Sequence, residues 1–124
     1  MAVVGIGTDL VEVERFRGVV ERTPGVLDRI FLDAERRFVA ARRDPTQGLA
    51  ARFAAKEAVL KVLGVGLAAV PLTDVEVLGG GDDPPTLQLH GRAAERAEAL
   101  GVQRWHLSLT HTDALAQATA LAET

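Results

Sequence analysis

Phe53-Ala54-Ala55-Lys56-Glu57-Ala58-Val59-Leu60-Lys61 lies within residues 49–63, a stretch free of Gly, Pro, Asn and Asp and rich in strong helix formers. At about 100° per residue, Glu57 projects between Phe53 and Leu60 with Ala50 and Ala54 beside it, and the far side carries Ala51, Ala55, Val59 and Val62. A helix apolar nearly all round is normally buried. The stretch therefore predicts a long core helix. A carboxylate on such a helix needs a cation, a metal or a water-filled cleft to face, because an unpaired buried charge is strongly destabilising. Lys61, one turn on, supplies part of that partnership. The plainer alternative is a surface Glu–Lys pair of little energetic weight.

N-terminal to this helix, residues 3–7 read as a short strand. Ile6, Thr8 and Leu10 share one face, while Gly5, Gly7 and Asp9 share the other, leaving bare backbone beside an acid. Asp9-Leu10-Val11-Glu12 also has the form of a capping box, so Asp9 reads either as a helix cap or as a ligand. Leu10, Val13, Phe16, Val19 and Val20 then follow helical spacing up to the breaker Thr23-Pro24-Gly25. Further helical stretches run over 26–29 and from Asp33, as N-cap, to Arg42. Asp44-Pro45-Thr46 punctuates before the long helix, and Gly64-Val65-Gly66 ends it. Residues 75–78 and 86–89 predict two strands joined by the loop 79–85, followed by a helix over 91–100. Residues 104–110 alternate cleanly, with Trp105, Leu107 and Leu109 on one face and His106, Ser108 and Thr110 on the other. Residues 114–122 stay open: propensity favours helix, alternation favours a returning strand.

At 124 residues the chain predicts one domain spanning 1–124, small enough to gain from oligomerisation. No apolar run is long enough for a membrane span, and no secretory signal pattern is present, so the expectation is a cytoplasmic protein without membrane partners. Zero cysteines exclude disulfides, thiolate metal sites and a cysteine nucleophile. The net charge of −3 is uneven. Between Val13 and Arg43 eight arginines face five acids, a local balance of +3 that leaves −6 elsewhere. Such a segment suits one acidic partner rather than general adhesion to nucleic acid, unless it is simply solvated helix surface.

No G-x-S-x-G elbow, P-loop, dinucleotide fingerprint or H-E-x-x-H is present. What stands out is a sparse polar set: Asp9, Glu57, Lys61 and His111. Two hard oxygen ligands from distant segments suit Mg²⁺, which keeps several waters and shares its shell with substrate phosphate. A nearby lysine suits phosphate neutralisation, and together they fit phosphoryl-group transfer. His111 reads as a phosphate contact, a base or a structural strand-end residue.

Three motifs together carry a resemblance. Gly5-Ile6-Gly7-Thr8-Asp9-Leu10-Val11-Glu12-Val13-Glu14-Arg15-Phe16, Arg52-Phe53-Ala54-Ala55-Lys56-Glu57-Ala58 with Lys61, and His106-Leu107-Ser108-Leu109-Thr110-His111 resemble, in order and spacing, the small bacterial holo-[acyl-carrier-protein] synthase class of 4'-phosphopantetheinyl transferases. The resemblance implies a single-domain α+β fold, with an antiparallel sheet packed on a long buried helix, assembled as a homotrimer with active sites between subunits. It implies an enzyme that moves 4'-phosphopantetheine from coenzyme A to a serine of an apo acyl carrier protein in fatty acid or polyketide synthesis. The other product is adenosine 3',5'-bisphosphate.

By the same resemblance Asp9 and Glu57 are the magnesium ligands, and Lys61 faces the phosphate in transfer. His111, with Thr112 beside it, approaches coenzyme A phosphate. Arg15, and more weakly Arg22, dock the acidic carrier. The nucleophile then belongs to the partner, and its proton goes to Glu57 or to a metal-held water. Val65 stands where members often have threonine, and 79–85 lacks the usual Gly-basic-Pro turn. Two rivals remain: a binding module that keeps the fold without catalysis, and a metal-dependent phosphohydrolase.

Overall fold

The computed structural model describes residues 1–124. In chain order it comprises strand β1 (Val3–Glu12), helices α1 (Val13–Arg22), α2 (Val26–Ile30), α3 (Asp33–Ala40) and α4 (Pro45–Leu63), and a single 3-10 turn (Leu72–Asp74). Strands β2 (Val75–Gly80) and β3 (Asp83–Leu89), helix α5 (Gly91–Ala99) and strands β4 (Arg104–His111) and β5 (Leu115–Glu123) complete it. The class is α+β, as expected. One antiparallel sheet has the order β1-β5-β4, and a second is the hairpin β2-β3.

Helix α4 is the centre of the molecule. Asp44 caps it by accepting from the Gln47 N–H at 3.4 Å, Pro45 occupies its first turn, and Gly64, at φ 68°, closes it in the left-handed conformation. Arg17 ties α1 to this cap through Asp44 at 2.8 Å, and Arg96 of α5 donates to the Leu63 carbonyl at the other end. Twelve of its nineteen residues are buried. Its floor is β5, whose alternate residues Ala116, Ala118, Ala120 and Ala122 are wholly buried. Small side chains on both surfaces let helix and sheet approach closely at native packing density.

Three expectations need correction, and one open choice is resolved. The capping box at Asp9 does not form: the strand continues through Glu12, with Asp9 paired opposite Ala118, and α1 opens only at Val13. Pairing along the whole of β5 satisfies this backbone better than an early helix turn. Leu10, assigned to the helix by its spacing, is consequently an exposed strand residue. Asp33 is the first residue of α3 rather than its cap, and the Glu35 carboxylate instead accepts from the Leu32 N–H at 3.0 Å. The open choice at 114–122 resolves as strand, because β5 is the central strand between β1 and β4.

Candidate active site

Glycine sets the first distance that matters. A Cβ built on Gly7 would meet the Ala58 carbonyl oxygen at 2.1 Å, and one on Gly5 would touch Val62 at 3.4 Å. The bare face of β1 is therefore occupied by the α4 backbone. With the two elements in such contact, Asp9 on β1 falls beside Glu57 and Lys61 on α4. Lys61 Nζ donates to the Thr8 carbonyl at 2.8 Å and to Asp9 Oδ1 at 3.2 Å. Two distant motifs thus meet.

Asp9 and Glu57 border a cleft of about 710 Å³, and Lys61 reaches it through its contact with Asp9. Asp9, Glu57 and Arg15 line it together with Phe16, Val19, Phe53 and Leu72, and Arg29 stands at its edge. Its walls are mostly apolar, so charge inside it is poorly screened. Burial pushes the Glu57 carboxyl above the usual range; the Asp9 charge pushes the same way, and Lys61 opposes both. Lys61, partly exposed, pairs with Asp9 and makes no ion pair with Glu57.

That arrangement fits a magnesium ion. The donors are hard oxygens, and the cleft is open to water and phosphate. No group of three or more His, Cys, Asp or Glu side chains is placed so as to hold a metal ion by itself. The two carboxylates would supply the protein's share of a shell otherwise made of water and substrate.

His111 and Thr112 lie elsewhere in the chain's own frame. His111 borders a second cavity of about 210 Å³ with Arg42, Gly48, Ala51 and Arg52. At about 100° per residue, Gly48, Ala51 and Arg52 face away from Phe53 and Glu57, so the two cavities flank α4 on opposite sides. Thr112 Oγ1 accepts from the Ala114 and Leu115 N–H groups at 3.2 and 3.1 Å, shaping the β4–β5 turn; its hydroxyl proton remains free to donate. Arg22 packs its guanidinium over Gly18 on the exposed side of α1 and is not among the residues lining the cleft.

Sequence reasoning missed three charged groups near these cavities: Glu35, Arg52 and Lys56 are all buried. Lys56 Nζ sits 2.7 Å from Glu35 Oε1. The signal for Lys56 was present, since the wheel that called Glu57 unusual also places Lys56 on the apolar helix. Its partner on α3 could not be read from spacing.

The chain matches the model of the 4'-phosphopantetheinyl transferase superfamily over residues 5–119. A protein of Pseudarthrobacter chlorophenolicus named holo-[acyl-carrier-protein] synthase is 50% identical over 121 residues, which cover 98% of each chain. The crystal structure of holo-[acyl-carrier-protein] synthase from Neisseria meningitidis superposes with a TM-score of 0.87 at 27% identity, covering 98% of this chain and 99% of that one. An ACPS–CoA complex described as from Chronobacterium ammoniagenes gives a TM-score of 0.83 at 28% identity and 94% coverage of both chains.

Proposed function

The chain belongs to the 4'-phosphopantetheinyl transferase superfamily, and from that premise we propose how its own residues carry out the reaction. The enzyme transfers the 4'-phosphopantetheine group of coenzyme A to a serine of an apo acyl carrier protein, giving the holo carrier and adenosine 3',5'-bisphosphate. The observation that carries the reading is the meeting of Asp9 and Glu57 at one largely apolar cleft also lined by Arg15, with Lys61 paired to Asp9.

The carrier serine oxygen attacks the phosphorus nearer the pantetheine. The diphosphate linkage breaks, and its bridging oxygen leaves with the adenosine bisphosphate. Asp9 and Glu57 would hold Mg²⁺, which when bound offsets charge on the diphosphate oxygens. Lys61 orients the phosphate in transfer and stabilises charge growing on the leaving oxygen. The serine proton goes to Glu57 or to a metal-held water.

Arg15 and Arg22 dock the acidic carrier. Support comes from pairing: Arg17 and Arg36 are engaged by acids of this chain, whereas Arg15 and Arg22 make no ion pair within it. His111 and Thr112 contact a coenzyme A phosphate. Because their cavity lies across α4 from Asp9, one coenzyme A would meet both sets only at a boundary between copies. That separation supports a homotrimer with sites between subunits.

The exposed face of the three-stranded sheet supports assembly. Ile6 and Leu10 are 66% and 62% exposed there, beside a network in which Gln117 Nε2 donates to the hydroxyls of Thr8 and Thr119. One transferase domain over 1–124, acting in the cytoplasm, completes the reading; no helix is long and apolar enough to cross a membrane.

The test is to incubate the protein with coenzyme A, Mg²⁺ and an apo carrier, then weigh the intact carrier. A pantetheinyl mass gain is expected. Nucleotide breakdown without carrier gain would mean hydrolysis, and no reaction would mean a binding module.

A further inference from the structure

The outer edge of β2 is satisfied by charged side chains instead of a strand. In the β2–β3 hairpin, Glu76 and Leu78 pair with Gln88 and Thr86, which leaves the backbone groups of Val75, Val77 and Gly79 pointing the other way. Each of these meets a buried side chain. Lys56 Nζ donates to the Val75 carbonyl at 2.5 Å, the Val77 N–H donates to Glu35 Oε2 at 3.0 Å, and Arg52 Nη2 donates to the Gly79 carbonyl at 2.6 Å. Lys56 Nζ also donates to the Leu72 carbonyl at 3.1 Å and to Glu35 Oε1 at 2.7 Å. All three donors of its ammonium are thereby used, with the side chain wholly buried.

Arg52 and Lys56 are four residues apart on α4 and so form one row facing β2. Phe53 and Glu57 are the next residue along in each case, turned by about 100° toward the cleft. A helix clasped at two successive turns by fixed backbone carbonyls cannot roll about its axis without breaking buried, charge-assisted hydrogen bonds. The same lysine grips Leu72, a wall of the cleft.

We infer that Lys56, held by Glu35, is a positioning residue that fixes the roll of α4 and the Leu72 wall so that the Glu57 carboxylate faces Asp9. The inference rests on the metal-dependent transferase reading above. Neither residue touches the cleft contents; both act through Glu57 and Leu72. Loss of a group that orients a metal ligand typically lowers metal affinity about 10- to 100-fold.

Calorimetric titration of coenzyme A with and without Mg²⁺ reads this directly. Lys56→Met should weaken the Mg²⁺-dependent affinity about 10- to 100-fold. Leu63→Ala, a wholly buried site on the same helix, should lower the melting temperature yet leave the titration unchanged. The double variant Glu35→Leu with Lys56→Met exchanges a buried ion pair for apolar volume and should regain thermal stability without regaining affinity.

Equal weakening by Leu63→Ala, or recovery of both properties in the double variant, overturns the inference. Should Lys56→Met fail to fold, Glu35→Gln retains an acceptor for the Val77 N–H and should shift the titration in the same direction; an unchanged titration again overturns it. A parent protein that shows neither Mg²⁺-dependent coenzyme A binding nor carrier mass gain would instead bring down the transferase reading itself.

Discussion

At the scale of single residues, Glu57 sets function against stability. Its carboxyl is pushed up by burial and by Asp9, so in the folded protein it holds its proton to higher pH than in the unfolded chain. Stability from this group is therefore fully present below the unfolded carboxyl range and lost as pH rises through the folded value. In metal-free buffer, Glu57→Gln should melt no lower than the parent at neutral pH, and any advantage should vanish in acid. A lower melting temperature at neutral pH in EDTA would contradict this account. Transfer goes the other way: the same variant should lose at least ~100-fold in rate, the scale of one metal-held electrostatic contact. On the proposed reading, the parent's affinity for Mg²⁺ should rise with pH through a value above the ordinary carboxylate range, because only the ionised carboxylate would hold the cation. Glu57 was legible because a charge on an apolar wheel is conspicuous. Lys56, beside it, is more deeply buried, yet its role depends on Glu35 from another helix, a tertiary contact that no periodicity reveals.

At the scale of elements, the decisive fit is β1 on α4. The Gly7 Cα hydrogen occupies the only space available beside the Ala58 carbonyl. Gly7→Ala must separate strand from helix, and overpacking of this kind costs about 3 kcal/mol. Urea denaturation should show that loss, and transfer should fall further than stability, because Asp9 moves with the strand while Glu57 stays with the helix. A Gly7→Ala protein of parental stability would mean that the elements yield there cheaply. The two in-line glycines were visible as bare backbone, and the structure shows that a helix fills the space. Helix α4, α5 and β4 were readable from period and punctuation, as were the cores of β2 and β3, but the loop expected over 79–85 is only a two-residue turn because both strands run on into it. The exceptions share a cause. Asp9-Leu10-Val11-Glu12 satisfies a local capping pattern, and the alanine-rich 114–122 satisfies a local helix propensity, but each is overridden by sheet pairing with the other. Alanine at every second position of β5 is what α4 needs for close approach, and that demand is not local.

At the scale of the whole molecule, the proposed reading turns on charge and assembly. A protein of net charge −3 would repel an acidic carrier, so on that reading encounter would depend on the basic face that includes Arg15 and Arg22. Raising salt from 50 to 300 mM (values on the order of ordinary buffers) should slow carrier modification more than it weakens coenzyme A binding; equal sensitivity would remove the basic face from the account. Assembly makes the stronger demand. Asp9 and His111 border cavities on opposite flanks of α4, so a single coenzyme A can span both only if one copy supplies Asp9 and a neighbour supplies His111. Asp9→Asn and His111→Ala should each impair transfer alone. Mixed and allowed to exchange subunits, they should recover activity, since some boundaries then pair an intact Asp9 with an intact His111. For random equal mixing in a cyclic assembly, roughly one site in four is restored. Sedimentation should show the same trimer for each variant and for the mixture, so that recovery reports the composition of the site and not a change in size. Activity that stays at the sum of the two defective proteins, with subunit exchange demonstrated by mass, would place the complete site within one copy. The cavity at His111 would then have to serve something other than the coenzyme A bound beside Asp9.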